Sequence, residues 1–178
     1  TSRMIAQFKE NRMWPKETPS LCAGDCAVYG AISGQTPSEA LSSFLSQASA
    51  GAYVALQIYQ PPSLQIDEAL ASLRKVISRK YAMAVTMGYG PRYLHSTGQL
   101  HKGDAGRGLF LQLTGENETD LPIPDELGKP ASCLTFGGLK AAQAEADRQA
   151  LLDKGRRVLR LHWKKDAAAG LHALAENL

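Results

Sequence analysis

The sequence predicts an α/β domain: a three-layer sandwich around a mostly parallel sheet of about five strands. Short apolar runs rich in β-branched and aromatic residues alternate with longer segments whose apolar residues recur every three or four positions. Proline, glycine and capping residues punctuate the alternation at its joints. The chain of 178 residues is long enough for one domain with a proper core, without disulfides or a metal.

The elements follow in order. Met4, Ile5, Phe8 and Arg12 share helical spacing over residues 3–13, and Pro15 and Pro19 end that helix, so residues 1–20 read as a leading helix and linker. Cys26 to Ile32 reads as a short strand. Thr36, Pro37 and Glu39 form a capping box that opens a helix to about Ala48. YVALQIY, Tyr53 to Tyr59, reads as a central strand stopped by Pro61-Pro62. Ile66, Leu70, Leu73 and Ile77 line one face of a helix reaching Lys80, acidic at its start and basic at its end.

Ala82 to Met87 reads as a second buried strand and Leu109 to Thr114 as a third. A proline-containing loop covers Glu116 to Ser132, an alanine-rich helix runs from Gly138 to about Lys154, and Val158 to Trp163 is the last strand before a helix from Asp166. Four of these strands, 53–59, 82–87, 109–114 and 158–163, are expected side by side, with Leu70, Leu73, Ile77 and Leu139 packed on them. A short helix within residues 90–108 gives the sandwich. A plain return of the chain there makes residues 53–163 a βαββαβ ferredoxin-like two-layer unit instead.

Composition narrows the function classes. The chain is 44% hydrophobic and 21% charged with a net charge of +3, an ordinary globular balance without a basic nucleic-acid stripe. No apolar run approaches the roughly 20 residues that cross a bilayer. Cys22, Cys26 and Cys133 lack the partners of a zinc site and read as reduced structural thiols. A cytoplasmic protein with no metal and no cofactor is expected.

Chemistry concentrates between Tyr89 and Gly108, YGPRYLHSTGQLHKGDAGRG, because a compact domain seldom keeps so long a connection without using it. Arg92, Lys102 and Arg107 supply cations, His95 and His101 titrate near neutrality, and Ser96, Thr97 and Gln99 are neutral donors. Glycines, among them Gly90 and Gly98, let backbone N–H groups approach an anion. This set suits a phosphate group, which wants several converging donors. An aldose–ketose isomerisation also needs ring opening, a base that moves a proton between C1 and C2, and a cation for the enediolate. His95, His101, Lys102 and Arg92 cover the first and third needs. The base has no marked candidate among Asp104, Glu116 and Glu118. His162, His172 and Gln143 read as structural, and Tyr53, Tyr59, Phe110 and Phe136 as core or rim.

GPRYLHSTGQLHKG at 90–103 resembles the C-terminal region of bacterial transaldolase/phosphoglucose isomerase fusion proteins and their long single-function isomerase relatives. The same resemblance takes in YVALQIY, AVTMGYGPRYLHSTGQLHKG at 84–103, GLFLQLT at 108–114, LPIP at 121–124, TFGGLKAAQ at 135–143 and RRVLRLHW at 156–163. The chain departs from that pattern at Asp104, which follows Gly103 where a second glycine is usual, and at Ala146, which precedes Asp147 in place of glycine.

The resemblance implies a phosphosugar-isomerase (SIS-like) domain and a part in converting glucose 6-phosphate to fructose 6-phosphate. Catalytic roles fall on His95, His101 and Lys102, and substrate contacts on Gly90, Arg92, Ser96, Thr97, Gly98 and Gln99. It further implies that the chain, residues 1–178, is a single C-terminal domain completed by an upstream isomerase or transaldolase domain or by a second copy, and inactive alone. The competing expectation is a non-catalytic module that binds a phosphosugar or docks its neighbour. Partners are then a sugar phosphate and a protein domain, not nucleic acid or membrane.

Overall fold

The computed structural model describes Ala6, residues 17–117 and residues 119–178. The helix expected over residues 3–13 lies outside these apart from Ala6, which is helical. The elements are β1 (Leu21–Ala23), β2 (Cys26–Tyr29), α1 (Pro37–Leu45), β3 (Tyr53–Tyr59), α2 (Leu64–Tyr81), β4 (Ala84–Tyr89), α3 (Thr97–Gly103), β5 (Gly108–Gly115), β6 (Pro122–Ile123), β7 (Leu134–Thr135), α4 (Phe136–Leu152), β8 (Arg157–Trp163) and α5 (Ala167–Asn177).

Six strands form one sheet in the order β1-β2-β8-β5-β3-β4. The ladders β8–β5, β5–β3 and β3–β4 are parallel, while β1 and β2 add an antiparallel edge. Tyr53 stands opposite Ala84 on one side and Gly108 on the other, which makes β3 the central strand its sequence predicts. The ferredoxin-like alternative fails because neighbouring strands from β4 to β8 all run the same way. The chain crosses back through α3 instead of doubling back.

Alternation along the strands gives the sheet two unlike faces. Val54, Leu56 and Ile58 of β3, Leu109, Leu111 and Leu113 of β5, and Leu159 and Leu161 of β8 share one face and join α1, α2 and α5 in the main core. Helix α2 forms here because Ser63 accepts a hydrogen bond from the Ile66 N–H at 3.2 Å and Ala82 turns left-handed (φ 52°) at its other end. Its buried Ile66, Leu70, Leu73 and Ile77 contribute about 1.5–3 kcal/mol each. Thr36 caps α1 by accepting from the Glu39 N–H at 3.2 Å, and the Glu39 carboxylate accepts from the Gln35 N–H at 2.7 Å.

The second face carries Tyr53, Gln57, Tyr59, Phe110, Gln112, Thr114, Arg160 and His162, under α3 and α4. Its apolar part is small: Ala55, Phe110, Leu151 and Val158 in one cluster, and Tyr59, Tyr93 and Ala144 in another.

Several expectations need correction. The strand expected at 82–87 begins at Ala84, because Ala82 is consumed by the α2 cap, and it is an exposed edge rather than a buried strand. Leu139 is only half-buried, since α4 packs through Ala142, Ala144, Asp147, Arg148 and Leu151. Phe136 is exposed at the start of α4, and residues 116–132 are interrupted by β6, which pairs with β7. Among the described residues no helix is long and apolar enough to cross a membrane, and no His/Cys/Asp/Glu cluster could hold a metal ion.

Candidate functional site

The parallel strands set where a ligand fits. From β3 the chain moves outward to β4, then returns past β3 to β5 and on to β8, so the connections leaving β3 and β5 diverge. At such a switch point a crevice opens beyond the carboxyl ends of the strands. A cavity of about 420 Å³ lies there, lined by Tyr59 at the end of β3, Thr114 and Glu116 after β5, Arg160 and His162 on β8, and Lys140 on the first turns of α4.

Local sequence builds each wall. The Thr135 hydroxyl caps α4 by accepting from the Gly138 N–H at 3.0 Å, and Gly137 donates to the Asp120 carboxylate at 2.7 Å. A side chain at Gly137 would push the Asn117 and Asp120 side chains out of their places, so glycine lets them close over the start of α4. Lys140 then points into the crevice and donates to Asn117 Oδ1 at 2.6 Å. Burial lowers the pKa of this half-buried amine, and the nearby Asp120 carboxylate opposes the shift only in part. The Asp120 carboxyl is itself held below the usual range, chiefly by a hydrogen bond from Thr135 and also by the Gly137 N–H.

Across the crevice, His162 Nδ1 meets the Thr114 hydroxyl at 2.9 Å and its Nε2 stands 3.4 Å from Glu116 Oε1. An imidazole fixed on one nitrogen and facing a carboxylate on the other is suited to moving protons. Glu116 is two-thirds exposed, open to a ligand. The sequence left Glu116 an unmarked acid and His162 a structural histidine, and did not single out Lys140. The clue available was the alternation of RVLRLHW, which puts Arg160 and His162 together on a face that an apolar helix could not cover.

The residues expected to act separate into two groups. Lys102, His101, Gly90 and Gly98 belong to a buried layer behind the crevice. Lys102 Nζ pairs with Asp147 Oδ1 at 2.8 Å and donates to the Gly98 carbonyl at 3.3 Å. Asp147, nearly sealed from solvent, also accepts from the Tyr93 hydroxyl at 3.1 Å and the Tyr59 hydroxyl at 3.4 Å. Burial and the Asp147 charge raise the pKa of Tyr59, while burial, the neighbouring Tyr59 phenol and the Asp147 charge raise that of Tyr93, so both phenols stay protonated donors. His101 meets Gln57 Nε2 through Nδ1 at 3.3 Å and packs between Tyr93 and Phe110. Burial lowers its pKa, against Asp147, so it is a neutral ring at pH 7.

Gly90 and Gly98 face tyrosines rather than an open anion site. A Cβ at Gly90 would lie 2.5 Å from the Tyr59 ring, and one at Gly98 would lie 3.0 Å from the Tyr93 carbonyl. Tyr59 is therefore common to the buried layer and to the crevice.

Arg92, His95, Ser96, Thr97 and Gln99 are exposed on the segment that follows the carboxyl end of β4. Arg92 lies over the Tyr89 ring at 5.4 Å, Ser96 donates to the Tyr93 carbonyl at 3.2 Å and Gln99 to the Leu94 carbonyl at 3.0 Å. Asp104 turns away from this surface. It accepts from the Gly106 and Gly108 N–H groups at 2.9 Å each and from Tyr53 at 3.1 Å, and pairs with Arg156 at 3.0 Å, which fixes the entry into β5. Burial would raise its pKa, but these donors together hold it below the usual carboxylate range.

No family model matches the chain, and no curated protein does. Among solved structures, the chain is similar to the crystal structure of a hypothetical protein from Thermus thermophilus, at a TM-score of 0.60 and 22% identity over 79% of this chain. It spans 37% of that protein's length. That likeness is one of fold: an α/β sandwich on a mainly parallel sheet.

Proposed function

We propose that this chain is the C-terminal domain of a transaldolase/phosphoglucose isomerase-type protein, and that its crevice takes the sugar part of a hexose phosphate during aldose–ketose isomerisation. The observation that carries the reading is the pairing, at the switch point, of an amine with lowered pKa with a carboxylate–imidazole pair. Isomerisation moves one proton between neighbouring carbons and another between their oxygens. Glu116 is the carboxylate to take and return the carbon-bound proton. Lys140 and His162 serve the oxygens, Lys140 also stabilising the enediolate charge. The layer of Lys102, Asp147, Tyr93 and His101 holds Tyr59 at the wall, while Arg92, His95, Ser96, Thr97 and Gln99 form a rim that a neighbouring domain or second copy shares with the ligand.

Turnover by the isolated chain is not expected, because the crevice is open on one side. Calorimetric titration with glucose 6-phosphate, for wild type and Lys140→Ala, tests the reading. Loss of about 1.5–3 kcal/mol of binding is expected for removal of a charged donor. Equal affinities in the two proteins would remove the crevice from the mechanism.

A docking role for the segment after β4 has one observation in its favour: Leu100 on α3 is 71% exposed. Preserved hexose phosphate binding by a Leu100→Ser variant that no longer associates with the upstream domain would assign that face to docking.

A further inference from the structure

Arg148 and Arg160 come from different elements, α4 and β8, and converge on one carboxylate. Glu17 Oε1 lies 2.7 Å from Arg148 Nη2 and Glu17 Oε2 lies 2.9 Å from Arg160 Nη2, so each oxygen takes one guanidinium. The Arg148 side chain is 6% exposed. The Nε–H groups of both arginines are buried without a hydrogen-bond partner among the described residues. Arg160 is stacked on the Tyr29 ring at 4.3 Å and tied to Glu145, which also faces Arg148 at 3.6 Å. Arg160 is thus held in place by groups other than the carboxylate between the two arginines, and Arg148 by its burial and the nearby Glu145 charge.

Glu17 differs from the other three members. It sits in a stretch, residues 17–19, with no helix or strand, and its side chain is 35% exposed. Arg160, Glu145 and Tyr29 line the crevice, so the cluster borders it on the Arg160 side, with Arg148 behind. Elsewhere the crevice sets Lys140 against both Asp120 and Glu116 and gives an anion no net positive wall.

We propose that Arg148 and Arg160 are a clamp for the phosphate group of a crevice ligand, and that Glu17 fills the clamp as an internal stand-in that the phosphate displaces. With Glu17 in place the two arginines face two carboxylates and the cluster is neutral. With Glu17 withdrawn it carries one net positive charge and four guanidinium N–H groups freed or unpaired, Nη2 and Nε of each arginine. A phosphate monoester, at about −1.5 to −2 near neutral pH, is drawn more strongly by that charge than a carboxylate is and offers more acceptors. Arginine is the residue for this task, since its fork reaches two oxygens at once. Only the identity of the organic part rests on the function proposed above; the clamp is tested with inorganic phosphate, so either idea can fail without the other.

The test is calorimetric titration of inorganic phosphate at low ionic strength into wild type, Glu17→Gln and Glu17→Gln with Arg148→Met. Glu17→Gln is expected to bind at least about tenfold more tightly than wild type, equivalent to about 1.4 kcal/mol. The double variant is expected to lose that gain. In parallel, the Arg148 and Arg160 Nε–H resonances of the wild-type protein are followed by NMR; both are expected to shift with phosphate and not with chloride at equal ionic strength. Unchanged affinity in a folded Glu17→Gln protein, a double variant that keeps the gain, or resonances indifferent to phosphate would reduce the cluster to a structural ion network. If Glu17→Gln does not fold, the wild-type resonances decide alone.

Discussion

Removing Lys102 should cost more stability than neutralising its partner Asp147. At 2.8 Å and an effective dielectric of about 20, the attraction between the two charges is about 6 kcal/mol before desolvation is counted. The desolvation is unequal, for the Asp147 side chain is 1% exposed and that of Lys102 is 21% exposed. Lys102→Met leaves a sealed carboxylate with only the Tyr93 and Tyr59 hydroxyls, and stranding a buried charge costs about 3–5 kcal/mol. Because Lys102 reaches the surface, the lower end, about 3 kcal/mol, is expected. Asp147→Asn keeps an acceptor for the two tyrosines and leaves an ammonium that still has the Gly98 carbonyl and water, so about 1–2 kcal/mol is expected. The double variant should then be more stable than Lys102→Met alone. Urea unfolding of the four proteins, read as a double-mutant cycle, measures this. Additive effects, or a larger loss from Asp147→Asn than from Lys102→Met, would refute the claim that the carboxylate is the group that cannot stand alone.

Three further outcomes follow from the same geometry. Gly90→Ala drives a Cβ into the Tyr59 ring and should destabilise by about 1–3 kcal/mol in thermal unfolding, whereas the same change at the open Gly103 should cost less than about 1 kcal/mol. The folded pKa of Asp104 lies below its unfolded value of about 3.9, so its contribution is complete above that pH and is lost as pH falls through the folded value; Asp104→Asn should flatten the acid limb of the stability curve. Burial pushes the Cys26 thiol up to about 11, so iodoacetamide at pH 8 should alkylate exposed Cys22 well before Cys26, as read by peptide mass spectrometry.

The fold was legible wherever one period dominated. YVALQIY could only be a buried strand between proline and glycine, and Leu70, Leu73 and Ile77 could only be one helix face, because those segments meet a single apolar layer. Legibility failed where tertiary position decides burial. Ala84 to Tyr89 is as apolar as an inner strand, yet the order of strands puts it at the edge, and no local pattern reports that order. The candidate site was half legible for the same reason. The glycine- and histidine-bearing segment stood out by composition, but its members face two ways, Lys102 and His101 inward and Arg92 and His95 outward. Lys140 lies on α4, Glu116 just past β5 and His162 on β8, and the parallel register that sets Thr114 opposite His162 is what brings the last two together.

The two faces of the sheet also rank the motions open to this molecule. One face is a continuous apolar core through α1, α2 and α5; the other is held by ion pairs, two tyrosine hydroxyls and small clusters, with Gln57 Oε1, Gln112 Oε1 and His101 Nε2 lacking protein partners among the described residues. Cooperative units held by few apolar contacts open at lower free energy than the whole. Lifting α3 and α4 from the sheet is thus the least expensive large excursion, and amide exchange there should outpace that of α2 and β3. The layer that loosens first carries Lys102, Asp147, Lys140 and Arg148, so plasticity and chemistry sit on the same side of the molecule while the opposite side keeps it folded.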